Sequence, residues 1–167
     1  MTAKIIDGTM MAEQLRRSVA EAVAARMSKG LARPGLATVV VGDNPSSQSY
    51  VRGKQKACTE VGIESFGYAL PATTGQAEVE ELVVRLNADK RVNGILVQLP
   101  LPEGLDEERI LRAISIEKDV DGFHPLNIGR LAQKGRDPLF IPCTPAGVML
   151  MLEHTLPSLE GLNAVVL

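Results

Sequence analysis

Tyr50 and Lys54 stand four residues apart in the run Ser47-Gln48-Ser49-Tyr50-Val51-Arg52-Gly53-Lys54, so on a helix their side chains meet on one face, one turn apart. A lysine works as a base only where burial or a cationic neighbour brings its pKa down towards neutrality. Otherwise the two form a solvated surface pair, the usual fate of long cationic side chains. Gln98 ends the apolar run Gly94-Ile95-Leu96-Val97, where a neutral amide either satisfies buried backbone groups or is aimed into a cleft; the residues alone favour neither. Asp119 and Asp121 flank Val120 in Lys118-Asp119-Val120-Asp121-Gly122-Phe123-His124-Pro125. A carboxylate at a loop tip accepts two parallel hydrogen bonds from an amino-pyrimidine edge, or it bonds its own backbone in a turn. For Asp119 the turn is the favoured reading.

Several other chemistries lack their signatures. His124, His154, Cys58 and Cys143 show no metal-type spacing, so no metal site is expected. Neither GxGxxG nor GxxxxGK[ST] occurs, and there is no GxSxG elbow, which leaves no phosphate-cradling glycine loop and no serine-hydrolase signal. Eighteen basic against twenty acidic residues give no cationic surface for a nucleic acid. The N-terminus has no apolar segment followed by a small-residue cleavage site and no run reaches membrane length, so a cytoplasmic protein with no membrane partner and free thiols is expected.

The elements that must position these residues follow from periodicity and punctuation. With 45% hydrophobic and 23% charged residues over 167 positions, the chain is long enough to bury a core. Met11, Leu15, Val19, Val23 and Met27 make one apolar stripe on a helix that Gly30 stops. A strand over Leu36–Val41 ends at Gly42, and Asn44-Pro45 caps a helix running to about Val61. Ile63–Leu70 reads as a strand, Gln76–Ala88 as a helix, Gly94–Leu99 as a strand and Asp106–Ile114 as a short helix. An irregular stretch, Lys118–Pro142, comes next, then a helix capped by Thr144-Pro145 and closed by Pro157. Alternating strands and helices predict an α/β fold, a three-layer domain with a mainly parallel sheet flanked by helices. Ligands then belong beyond the carboxyl ends of the strands, which places Tyr50, Lys54 and Gln98 near one cleft.

The blocks Val41-Gly42-Asp43-Asn44-Pro45 through Tyr50 and Lys54, Gly94-Ile95-Leu96-Val97-Gln98-Leu99-Pro100-Leu101-Pro102, Lys118–Pro125 with Asn127-Ile128-Gly129, and Pro142-Cys143-Thr144-Pro145 with Gly147 resemble, in order and nearly end to end, the bacterial-type bifunctional methylenetetrahydrofolate dehydrogenase/methenyltetrahydrofolate cyclohydrolases. The resemblance implies oxidation of methylenetetrahydrofolate with NADP and hydrolysis of the methenyl product to 10-formyltetrahydrofolate in one-carbon metabolism. It gives Lys54 the acid/base role and Gln98 the task of holding and tuning it. It has Tyr50 pack on the aminobenzoate ring and order the site, Asp121 grip the pterin, and Leu99 and Pro100 line the substrate site. It also implies a homodimer through a later domain.

The implied organisation is a folate-binding catalytic domain over 1–141, a connecting helix over 142–158, and over 159–167 the first strand of a Rossmann-type NADP domain. The family's Gly-Arg-Ser phosphate loop, its Pro-Gly-Gly-Val-Gly-Pro segment and its final covering helix would all follow Leu167, so no cofactor-binding residue is expected within this chain and some apolar surface should be bare. Leu162 stands where the family often has Lys. Two other readings remain: a folate-binding module idle without its cofactor half, or the substrate domain of another dehydrogenase. The Gln98-Leu99-Pro100 and Asp119-Val120-Asp121-Gly122 blocks disfavour the last, since the fold alone does not require them.

Overall fold

The computed structural model describes residues 5–165. Its centre is an all-parallel sheet in the order β2-β1-β3, formed by β1 (Gly35–Val41), β2 (Glu64–Leu70) and β3 (Gly94–Val97). β1 is the middle strand and is buried on both faces, which suits its β-branched sequence. Its odd positions, Ala37, Val39 and Val41, pack with Ile95 and Val97 of β3 against α3 (Gln76–Ala88) and α4 (Glu107–Ala113). On the opposite face Thr38, fully buried, accepts a 3.0 Å hydrogen bond from Gln55 of α2 (Pro45–Glu60). Helices therefore cover both faces of the sheet, as expected.

α1 (Gly8–Ser28) lies against α2, with Leu15 and Val19 facing Ala57, Cys58 and Val61 across a shallow groove. Its apolar stripe is only partly used: Met11 and Val23 are buried, whereas Leu15 and Met27 are exposed. A spacing of four drifts by about 40° per step round a 3.6-residue helix, so the stripe cannot face one neighbour along its whole length.

Three boundaries differ from the expected ones. β3 ends at Val97 rather than Leu99, although the Gln98 N–H still donates to Val39 O at 2.8 Å; Pro100 lacks an N–H and cannot continue a ladder. Within the stretch read as irregular, Pro125–Leu131 forms α5. His124 Nδ1 caps it by accepting from Leu126 N at 3.1 Å, and Pro125 holds the first helical position. Seven residues are too few for a periodic signal. α6 (Cys143–Thr155) begins at Pro142, with no side-chain cap, so Thr144 and Pro145 lie inside its first turn instead of capping it.

Beyond α6, residues 162–165 form no strand, and Val166 and Leu167 lie outside the described residues. No residue of α6 is buried, and Val148, Met149 and Leu150 are exposed. Among the described residues no helix is long and apolar enough to cross a membrane.

The segment after α4 is tied to the end of α3 by side chains. Lys118 Nζ donates to the carbonyls of Leu86, Asn87 and Asp89 at 3.1, 2.7 and 2.9 Å. It thereby saturates the open C-terminal end of α3, where a cation also meets the negative end of the helix dipole. Asn87 accepts from Ser115 N and donates to Ala113 O, closing the same corner. Lys118→Met, which keeps the stem and removes three charge-assisted bonds, should lower unfolding free energy by about 2 kcal/mol, measured by urea titration.

Candidate active site

β3 stops two residues before β1 does, since Val97 pairs with Val39 while β1 runs on to Val41. The shortfall opens a notch at the carboxyl end of the sheet, between β1 and β3. In a sheet ordered β2-β1-β3 this is where the crossovers leave in opposite directions.

Strand parity aims Gln98 into the notch. Ile95 and Val97 face α3, so Leu96 and then Gln98 face α2. There Gln98 Oε1 accepts a 3.1 Å hydrogen bond from Lys54 Nζ, while Gln98 Nε2 donates to Leu99 O at 2.7 Å. The amide is thus fixed at both ends and cannot present its N–H₂ to the lysine. Both roles open for Gln98 are met: its amide nitrogen satisfies a backbone carbonyl and its side chain lines a cleft.

α2 begins with Asn44 Oδ1 accepting from Ser46 N and Ser47 N at 3.0 and 3.1 Å. This cap, with Pro45 at the first helical position, fixes where the helix starts and hence which face carries Lys54. Asp121 arrives from the other side. Asp119 forms an isolated parallel bridge with Ile95, a register that, continued two residues, carries Asp121 level with Val97.

These side chains line a cleft of about 460 Å³ with Leu99, Phe123 and the start of α6, Pro142 to Pro145. Lys54, Gln98, Leu99 and Asp121 are therefore brought together. Tyr50 and Pro100 are not in the lining; Tyr50, one turn before Lys54, is 66% exposed. The neighbourhood of Lys54 is polar, with the Gln98 carbonyl and the Asp121 carboxylate. Sequence reasoning missed Phe123 and Cys143 as cleft residues. Cys143 had been weighed only for metal and disulfide chemistry, and its place follows from where α6 starts.

Burial pushes the Asp121 carboxyl above the ordinary range; the Lys54 charge and a hydrogen bond from Cys143 pull it back, and the Asp119 charge pushes it up. Burial, then the negative charge of Asp121, also raises the Cys143 thiol. That thiol points at Val120 O, 3.6 Å away, as well as at Asp121. A thiol held protonated is a poor nucleophile, so Cys143 is a wall and a weak donor here. Among the described residues no group of three His, Cys, Asp or Glu is placed to hold a metal ion. One cationic amine, an anchored amide carbonyl and a carboxylate on one cleft are equipped to bind a polar heterocycle and to pass protons.

Residues 6–121 match the family model described as tetrahydrofolate dehydrogenase/cyclohydrolase, catalytic domain. The chain is similar to the solved structure of the bifunctional enzyme FolD, methylenetetrahydrofolate dehydrogenase/cyclohydrolase, from Campylobacter jejuni. The two share 43% identity over 91% of this chain and 53% of that one, with a TM-score of 0.84. The methylenetetrahydrofolate dehydrogenase-cyclohydrolase of Trypanosoma brucei, solved with NADP cofactor and inhibitor, is 38% identical over 93% of this chain and 53% of its own, with a TM-score of 0.88. A methylenetetrahydrofolate dehydrogenase from Bombyx mori gives 36% over 92% and 52%, with a TM-score of 0.87. The chain thus spans about half the length of these relatives.

The folded chain holds the Asp121 proton to higher pH than the unfolded chain does, so ionising it costs stability as pH rises above the ordinary value of 3.8. Asp121→Asn should therefore stabilise the protein at pH 7. The gain should fade as pH falls below that ordinary value, where the parent carboxyl is protonated in both states, as measured by denaturant melts across pH.

Proposed function

The chain belongs to the tetrahydrofolate dehydrogenase/cyclohydrolase family, and from that premise we propose that the protein oxidises 5,10-methylenetetrahydrofolate with NADP and hydrolyses the methenyl product to 10-formyltetrahydrofolate. In this reading residues 1–141 supply the folate site and the proton chemistry, 142–158 connect, and 159–167 lead into a Rossmann-type dinucleotide domain. The observation that carries it is the juxtaposition of Lys54, Gln98 and Asp121 on one cleft.

In hydrolysis water attacks the cationic carbon bridging N5 and N10 and loses one proton to solvent, leaving a neutral hydroxyl adduct. The adduct then gives up its hydroxyl proton, and the carbon–N5 bond breaks as N5 takes a proton. One group that passes protons both ways suffices, and Lys54 is that group, with the bound methenyl cation as the cationic neighbour that a working lysine requires. A lysine has three N–H donors; Gln98 takes one, which fixes the direction of the others. Asp121 grips the pterin by two parallel hydrogen bonds, and Leu99 forms part of the floor. Tyr50, outside the cleft lining in the free chain, meets the aminobenzoate ring at the rim once substrate is bound, and Pro100 borders the same entrance.

NADP supplies the hydride acceptor when bound. The residues here do not fit it: the sequence has no glycine-rich phosphate loop. That same lack favours a second reading, in which this chain by itself is a folate-binding module. A homodimer and a cytoplasmic location complete the proposal, both resting on family membership.

Lys54→Met in the enzyme carrying this chain should cut methenyltetrahydrofolate hydrolysis by about 10²–10⁴-fold with the melting temperature unchanged. Hydrolysis within a factor of two of the parent would remove Lys54 from its role. Asp121→Ala should weaken folate binding by about tenfold or more while leaving NADP affinity alone. Equal loss of both by calorimetry would overturn the pterin assignment.

A further inference from the structure

The wall that carries Asp121 is two layers of chain thick. At Gly122, with a φ of +72°, an added Cβ would lie 2.7 Å from both the Ile141 carbonyl carbon and Pro142 N. Residues 121–123 and 141–143 therefore run back to back, and both layers contribute to the cleft. Such close contact has little specificity of its own; something must set how the layers register.

Asp119 and Asn127 are placed to do so. Asp119 is 1% exposed and Asn127 fully buried. Asp119 Oδ2 accepts from His124 N at 2.9 Å and from Asn127 Nδ2 at 2.7 Å. Asn127 then turns its Oδ1 to Leu139 N at 2.9 Å and Phe140 N at 3.5 Å. A continuous path thus runs from β3, through the Ile95–Asp119 bridge, to Asn127 and on to the segment entering α6. A buried carboxylate is costly unless hydrogen-bonded, and an apolar pair would fill the space more cheaply. What an apolar pair could not do is fix two chain segments at set distances and angles.

We propose that Asp119 and Asn127 act as one positioning unit, setting Asp121 and the Pro142–Cys143 wall against Lys54 and Gln98. The unit touches no ligand and adds nothing to the chemistry. Its effect is to hold the cleft at the width its ligand requires, where displacements of about 1 Å cost binding and rate. The binding arm of the test rests on the folate reading above; the labelling arm does not.

The test compares the parent chain with Asp119→Ala, Asn127→Ala and the charge-neutral swap Asp119→Asn. In the swap, an amide oxygen in the place of Oδ2 still accepts from both His124 N and Asn127 Nδ2. The distinctive bonds are retained while the charge is removed. Binding of 5-formyltetrahydrofolate, measured by calorimetry below every melting transition, should weaken about tenfold in each alanine variant and return to within about threefold in the swap. Without ligand, the alanine variants should exchange the His124 and Leu139 amides faster and alkylate Cys143 with iodoacetamide at an altered rate; the swap should match the parent.

Alanine variants with parent affinity would overturn the proposal. So would a swap that regains amide protection and melting temperature yet still binds tenfold more weakly. If the parent binds no folate, the functional reading fails separately, and equal Cys143 labelling in parent and alanine variants would still overturn the positioning unit. Should the swap not fold, the alanine variants decide by themselves, through Cys143 labelling and exchange of the His124 and Leu139 amides.

Discussion

The Gln98 side chain is held at both ends, its N–H₂ on the Leu99 carbonyl and its oxygen on the Lys54 ammonium, and most of the architecture serves that arrangement. The amide can face α2 only because β3 keeps the register Val39↔Val97 and then ends. Were β3 to run as long as β1, Gln98 would remain one more pleated position with its backbone in the ladder and no notch beside it. The lysine in turn depends on where α2 begins, which the Asn44 cap decides. One residue of slip would turn Lys54 by about 100° away from the sheet end.

A cleft built this way is not the most stable arrangement of its residues. Asp121 is placed where burial disfavours its charge, and the Asp119 carboxylate adds to that. Lys54 relieves part of it, so the amine and the carboxylate are coupled through the cleft even though each has its own supporting contacts. Stability is recovered elsewhere: by the β1–β3–α3–α4 core, and by Lys118, whose ammonium closes the end of α3 and fixes the start of the loop bearing both aspartates. The pattern is a rigid scaffold supporting a site whose members, left alone, would rather be solvated.

Much of this was legible in the chain itself. β1 and α3 follow from β-branched and helical periodicity; α2 follows from Asn44-Pro45. Lys54 stands out by its spacing from Tyr50 and Gln98 by its place at a strand end, whereas Asp121 is one of a pair of loop carboxylates whose role, like that of Gln98, is implied by the family resemblance. Asp119 was read as a turn residue bonding its own backbone. Its role is indeed structural, but one of its donors is the Asn127 side chain eight residues on, a pairing with no local signature. α5 was hidden because its seven residues carry little periodicity, and the start of α6 because Thr144-Pro145 has the look of a cap. Tyr50 lies one turn before Lys54 on α2, as its spacing implies, and is exposed.

The sequence by itself determined β1 to β3 and the helices other than α5, where α2 starts, and which residue types are available for proton transfer and for gripping a polar ring, because these depend on interactions within a few residues. Only the tertiary structure decided that β3 stops short against β1, that Gln98 therefore meets Lys54, and that Asp121 and Cys143 close the same cleft. Those outcomes rest on register between strands and on hydrogen bonds between residues distant in the chain, such as the one joining Lys54 to Gln98. Their energies depend on geometry that no local pattern encodes.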